Sequence, residues 1–292
     1  MSIPILPRMK FTIALAQIDC RIGDLAGNVK RHIAAIEQAR LGGADLVVFP
    51  ELSLCGYSLK DIAPESVLRA PDASRLGGIP ALTEDISVLL GCAEESDDFG
   101  IYNSAFLVER GKMASVHRKV YLPTYGMFEE NRLFSPGSQV RACTTAVGRI
   151  GVLICEDLWH LPLPYLLAQD GAQIVIAMAA SPTRLTGDDA RIRQARVNTE
   201  QHRTYARLLS SYVLFCNRVG YEDGVNFWGG SEVIGPDGNP IVQAKLFEED
   251  MVFAEINDEE VRRARRQSRH FLDDDLALFL REGVRVFRKN VK

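Results

Sequence analysis

The sequence has no apolar run approaching the roughly 20 residues that span a bilayer, and its six cysteines show no CxxC spacing. The first absence argues against a transmembrane helix. The second, with the thiols scattered at Cys20, Cys55, Cys92, Cys143, Cys155 and Cys216, argues against a zinc ribbon or a dense disulfide framework and predicts a reducing, cytoplasmic setting. The opening MSIPILPRMK lacks an apolar core of signal-peptide length and carries two prolines. No metal-ligand cluster and no phosphate-cradling glycine loop is present, so neither a metal nor a cofactor is expected. Charge of one sign is also missing. A net charge of -4 gives no reason to expect a nucleic acid or an anionic membrane as partner. The basic stretch RRARRQSR at 262–269 is offset by EINDEE before it and LDDD after it, and reads as a solvated helix face.

What is present is an ordinary globular composition, 47% hydrophobic and 25% charged over 292 residues, enough to bury a substantial core. Apolar runs alternate with helical patterns. FTIALAQI (11–18) reads as a strand, and Asn28 as the cap of a helix with Val29, Ile33 and Ile36 on one face, ended by Gly42 and Gly43. ADLVVFP (44–50), ISVLLGCAEE, RIGVLIC and QIVIAMAAS read as buried strands, and LPLPYLLAQDGA as a short helix. IYNSAFLVERGKMASVHRKVYL reads as two strands turning at Glu109–Lys112. A long helix over 188–211 precedes YVLFCNRVG, a hairpin turning at Pro236-Asp237-Gly238-Asn239, a final strand MVFAEI and a charged helix over 257–269. No composition shift, repeat or low-complexity tract divides the chain. Residues 1–292 therefore read as a single domain with a peripheral helical tail from about 270, and as mixed sheets covered by helices, an α/β arrangement.

In layered α/β folds, sites gather beyond the carboxyl ends of strands. Three places put a reactive side chain there: Glu51 after LVVFP, Lys119 in HRKVYLP, and Cys155 after Val152-Leu153-Ile154. Each alone has an ordinary reading, as a loop acid, a solvated lysine and a small core residue. Cys155 poses the sharper question, because Glu156 and Asp157 follow it and nearby carboxylates disfavour a thiolate.

Taken together, FPELSLCGY, HRKVYLPTYGMFEENRLFSPG, GVLICEDLW and NRVGYEDGVNFWGGSEVIGPDG resemble the nitrilase superfamily of carbon–nitrogen hydrolases, in the family's order, from about Phe11 to Ile256. The resemblance implies a four-layer α-β-β-α sandwich and a Glu-Lys-Cys triad, which falls on Glu51, Lys119 and Cys155. It makes Glu51 the general base and Cys155 the nucleophile. Lys119 and the backbone N–H of Glu156 would hold the oxyanion. A further family glutamate falls on Glu130, with Glu129 as the neighbouring alternative. A homo-oligomer is a further expectation from the family.

Within the superfamily the blocks are most similar to the glutaminase domains of glutamine-dependent NAD synthetases, although no SGGxDS-type pyrophosphate loop occurs here. Those domains carry Ser-Pro-Phe followed by glycine and a basic residue. This chain reads SPTRLTGDD, with Asp188 where a cation is expected and Arg184 as a substitute for holding a carboxylate. Ser181 and Tyr125 match the glutaminase pattern, and Tyr57 and Trp159 are further candidates for the pocket wall. The leading expectation is an amidase forming a cysteine thioester on a small-molecule amide and releasing ammonia. The alternatives are a glutaminase subunit or domain supplying a separate synthetase chain, a nitrilase, a catalytically silent interaction module, and a Cys-His hydrolase using His160 or His117.

Overall fold

Strand β1 (Lys10–Gln17) sends Ile13 and Leu15 to one side and Ala14 and Ala16 to the other, and all four are fully buried. A strand buried on both faces belongs to a sheet covered on both sides. The computed structural model, which describes residues 10–69, 73–183 and 188–290, shows what covers it. After β1 come β2 (Leu46–Val48), β3 (Ser87–Glu95), β4 (Ile101–Glu109), β5 (Lys112–Arg118), β6 (Cys143–Thr145), β7 (Gly148–Ile154) and β8 (Ile174–Ala179). They are followed by β9 (Pro182–Thr183), β10 (Tyr212–Asn217), β11 (Val219–Glu222), β12 (Val225–Trp228), β13 (Glu232–Ile234), β14 (Pro240–Gln243) and β15 (Asp250–Asn257).

Two six-stranded sheets form, ordered β15-β1-β2-β3-β4-β5 and β14-β13-β10-β8-β7-β6, with a small β11-β12-β9 sheet beside them. Ile13, Leu15, Val48 and Leu89 of the first sheet meet Ile154, Ile176, Met178 and Leu214 of the second in one apolar layer. Ala14, Val47 and Val88 face Val29, Ile36 and Ala39 of the Leu25–Leu41 helix. On the far side, Leu153, Val175 and Val213 pack on Leu163 and Leu167 of the Pro162–Gln169 helix and on Tyr205 and Ala206 of the Asp188–Leu209 helix. The result is the α-β-β-α sandwich that the motifs imply. Among the described residues no helix is long and apolar enough to cross a membrane.

Three local readings need correction. Asp24, not Asn28, caps the first helix: its Oδ1 accepts from the Gly27 N–H at 2.9 Å. Asn28 lies one turn inside and fully buried, accepting from the Arg21 N–H at 2.9 Å and donating to the Leu54 carbonyl at 3.0 Å. The β11–β12 hairpin is also absent from the sequence reading, though Asp223-Gly224 supplies it, with φ of 51° and 79°. Asp-Gly with both φ angles positive is a hairpin turn matched to strand twist. The expected strand over 44–50 shrinks to Leu46–Val48, because Pro50 has no N–H to continue the ladder. The tail forms a helix, Leu276–Asn290, none of whose residues is buried.

Candidate active site

The parallel strands of both sheets deliver their ends to one place. Pro50 stops the chain after β2, and Leu52 takes a left-handed φ of 49°, turning Glu51 inward to 1% exposure. Gly91 on β3 permits that turn: a Cβ there would stand 2.4 Å from the Leu52 nitrogen and 2.5 Å from the Pro50 carbonyl oxygen. Glu51 Oε1 accepts from Lys119 Nζ and from Asn103 Nδ2, each at 2.7 Å, and Oε2 accepts from the Ala180 N–H at 2.8 Å.

Lys119 follows the end of β5 and is fully buried. Its N–H donates to the Asn103 carbonyl at 2.8 Å and its own carbonyl accepts from the Gly137 N–H at 2.7 Å, so the backbone is fixed on both sides. Nζ donates to Glu130 Oε1 at 2.7 Å as well as to Glu51. Glu130 opens the short Glu130–Leu133 helix, and its Oε1 also accepts from the Tyr57 hydroxyl at 2.5 Å. Glu129 instead lies outside, 3.6 Å from Arg132, with its side chain 68% exposed. Of the two neighbouring acids it is Glu130 whose carboxylate reaches Lys119.

Cys155 is the first residue after β7, with φ of 48°. A left-handed non-glycine residue at a strand end is strained and marks a position the surrounding structure holds. Asp157 does much of the holding. Its Oδ1 accepts from the Val120 and Tyr121 N–H groups at 3.0 and 2.9 Å, and its Oδ2 from the Ile154 N–H at 3.1 Å. The acid that looked hostile to the thiol is therefore a tie between the lysine loop and the cysteine turn. The Glu156 Oε2 accepts from the Tyr125 hydroxyl at 2.8 Å.

One cation thus lies between two buried carboxylates beside a thiol. Burial works against the charge on Lys119, but Glu130 and Glu51 outweigh it and raise its pKa well above the lysine range. Burial raises the Cys155 thiol well above its usual value and Glu51 adds to that, while Lys119 and the Ala180 N–H pull it down. The resting group is a thiol that needs a base. Burial pushes the Glu130 carboxyl up to about 7, with Lys119 opposing and Glu51 reinforcing.

A carboxyl raised in the folded state binds its proton more tightly folded than unfolded. Its stabilising contribution is therefore complete below its ordinary value of 4.5 and is lost as pH rises through about 7. Denaturant midpoints measured across that range should fall with pH more steeply in the wild type than in Glu130→Gln. Equal slopes would contradict the assignment.

The other expected residues divide. Tyr57 reaches the acid cluster through its hydroxyl, and its ring meets Phe128 edge-on at 6.4 Å, as Phe128 meets Tyr125 at 5.6 Å. Ser181 is buried and its Oγ accepts from Trp228 Nε1 at 3.1 Å. Trp159 is 45% exposed at the end of the Cys155–Trp159 turn. Arg184 lies outside the described residues, and of Asp188 only the backbone is described. His117 sits on Asp157 Oδ2 at 3.1 Å, and the His160 ring stacks on Tyr121 with centroids 3.4 Å apart.

Sequence reasoning missed four contributors. Asn103 carried a signal, a fully buried amide in the middle of the apolar IYNSAFLVE strand. Arg218 and Glu222 form a buried pair at 2.7 Å, and Glu222 Oε1 accepts from the Tyr57 and Ser58 N–H groups at 2.9 and 2.6 Å, seating the Tyr57 loop. The Ala180 N–H carried no signal, since any residue type supplies one. Among the described residues no group of three or more side chains suited to a metal ion occurs.

Comparison with known proteins adds three findings. The family model for carbon-nitrogen hydrolase matches residues 12–266. A glutamine-dependent NAD(+) synthetase from Thermotoga maritima is 32% identical over 258 residues, covering 87% of this chain and 43% of that protein. The chain thus spans less than half the length of that relative. A solved amidase of the nitrilase superfamily from Nesterenkonia is 26% identical, with a TM-score of 0.75, covering 95% of this chain and 99% of the other. One mutant of that amidase shows covalent addition of the acetamide moiety of fluoroacetamide at the active-site cysteine.

Proposed function

Because the chain belongs to the carbon–nitrogen hydrolase family, we propose that it hydrolyses the C–N bond of a small linear amide through a thioester on Cys155, releasing ammonia. The observation that carries this reading is Lys119 bridging Glu51 and Glu130 at 2.7 Å each, beside a thiol at a left-handed turn. Glu51 takes the thiol proton as sulfur attacks the carbonyl carbon. Lys119 and the Glu156 N–H hold the oxyanion while the C–N bond is unmade. The proton passes to the leaving nitrogen, which departs as ammonia. Glu51 then takes a proton from water, whose oxygen attacks the thioester, and the proton returns to sulfur as the carboxylic acid leaves. Glu130 positions Lys119, and Tyr57 positions Glu130. Covalent addition at the active-site cysteine of the Nesterenkonia amidase supports a nucleophilic role for Cys155.

The second reading is a glutaminase unit that supplies ammonia to a separate synthetase chain. It is favoured by the 32% identity to a glutamine-dependent NAD(+) synthetase. A nitrile substrate would begin with the same thiolate attack, and an interaction module would show no turnover. The reading fits a reducing cytoplasm, where thiols such as the described free cysteines stay reduced. Ammonia release from glutamine, set against a panel of simple amides and nitriles, separates these readings. Turnover of several small amides is the expected result. Turnover of glutamine alone would overturn the amidase reading in favour of the glutaminase one.

A further inference from the structure

Two arginines show how this fold satisfies a guanidinium. Arg118 offers Nε and Nη2, the two donors along one edge, to the Glu94 carboxylate at 2.9 and 2.7 Å. Arg218, fully buried, pairs with Glu222 at 2.7 Å and with Asp19 at 3.5 Å. Arg265, on the Asp258–Gln267 helix, departs from that pattern. Its Nε and Nη2 are both shielded from solvent, and among the described residues neither has an acceptor. Phe271 covers one face of the guanidinium, 4.6 Å from Cζ to the ring centroid, and leaves the edge that Arg118 uses unfilled. Burial lowers the Arg265 pKa from the usual arginine value, and an unpaired cation held out of water costs the fold stability.

Two acceptors border the same space. A cavity of about 290 Å³ opens between this helix, the start of β8 and Leu272, and Gln173, Asp258 and Arg265 all line it. Gln173 Oε1 and Asp258 Oδ1 are shielded as well, and among the described residues neither accepts a hydrogen bond. Shielded polar atoms in folded proteins almost always have a partner. Here a donor edge and two acceptors stand unfilled around one cavity. One molecule carrying a carboxylate and a hydrogen-bond donor satisfies all of them together, and Val261 and Leu272 supply an apolar wall beside it.

We infer that this cavity binds a free α-amino acid, with its carboxylate held in bidentate fashion on the Nε–Nη2 edge of Arg265 and its ammonium donating to Asp258 and Gln173. The volume is at the small end for a ligand pocket, which suits a molecule of that class. The site lies at the far pole from Cys155. Gln173 precedes β8 and Ala180 follows it, a separation of roughly 20 Å along an extended strand. It is therefore distinct from the amide-hydrolysing site and stands whether or not that reading does.

Isothermal titration calorimetry of the full chain with each of the standard L-amino acids tests this. At least one is expected to bind, one molecule per chain. Acetate and methylamine each carry half of the recognised chemistry and should bind at least about tenfold more weakly. Arg265→Met keeps a side chain long enough to rest on Phe271 and should weaken the amino acid at least about tenfold. Asp258→Asn should weaken the amino acid and leave acetate unchanged. Without ligand, the thermal midpoint of Arg265→Met should equal or exceed that of the wild type, since an unpaired buried cation has gone. A lower midpoint would assign Arg265 to the scaffold and overturn the inference. Silence toward every amino acid overturns it too, as does binding of inorganic phosphate in place of any amino acid. Amino-acid binding unchanged in both variants overturns it in favour of the pocket at Cys155.

Discussion

Cys155→Ala is expected to abolish ammonia release, with turnover falling about a millionfold, the scale seen when a hydrolase nucleophile is removed. The substitution deletes only the sulfur. The left-handed turn remains, because Asp157 ties it through the Ile154, Val120 and Tyr121 N–H groups. Intact-mass spectrometry during turnover should show an acyl adduct on the wild type and none on Cys155→Ala. Cys155→Ser is a stringent companion: a hydroxyl is far harder to deprotonate than a thiol, and Glu51 is placed to serve the weaker demand. Ammonia release that survives either change at wild-type rates would remove the thioester from the mechanism.

Lys119→Met should damage the protein twice. It takes the cation from between two carboxylates that are 1% and 4% exposed, and stranding buried charge in this way costs about 3–5 kcal/mol. Two close acids without a cation cannot both stay ionised, so one takes up a proton. The destabilisation is therefore largest above neutrality and shrinks as pH falls, because protonation relieves the repulsion. Denaturant midpoints at acid and alkaline pH measure this, and turnover should fall at least about a thousandfold from loss of the oxyanion partner. A stability loss independent of pH would show that the carboxylates do not depend on Lys119.

Much of this arrangement could be read before any coordinates. Continuous apolar runs located β7 and β8 within a residue or two because strands buried on both faces leave little room for polar side chains. Gly42 and the Arg110-Gly111 turn punctuate the chain locally, and their signals were legible for that reason. The cap at Asp24 was misread because Asn28, an equally good capping residue, is spent on bridges to Arg21 and Leu54. The ordered motifs named Glu51, Lys119, Cys155 and Glu130, and the fold brings these four side chains together. The contacts that hold them were not legible. Asn103 meets Glu51 across 52 residues and Ala180 across 129, and no local pattern encodes a partner so distant. Asp157 was misjudged for the same reason: beside Cys155 in sequence it is an acid, but in space it is an acceptor for the far loop.

The hydrogen bond from Ala180 to Glu51 has a wider consequence, since it runs from the end of one sheet to the end of the other. Glu51 and Lys119 follow strands of the first sheet, Glu130 sits on the short helix beyond β5, and Cys155 follows β7 of the second. The gap between base and thiol is thus the spacing of the sandwich itself, read at its rim. Base and thiol follow closely on strand ends, so a core change at Ile154 or Met178, in the inter-sheet layer, is also a change of focus. A substitution in that layer acts on reactivity as well as on stability: the sheets are the two halves of a rangefinder, and reactivity is lost as soon as the images no longer coincide.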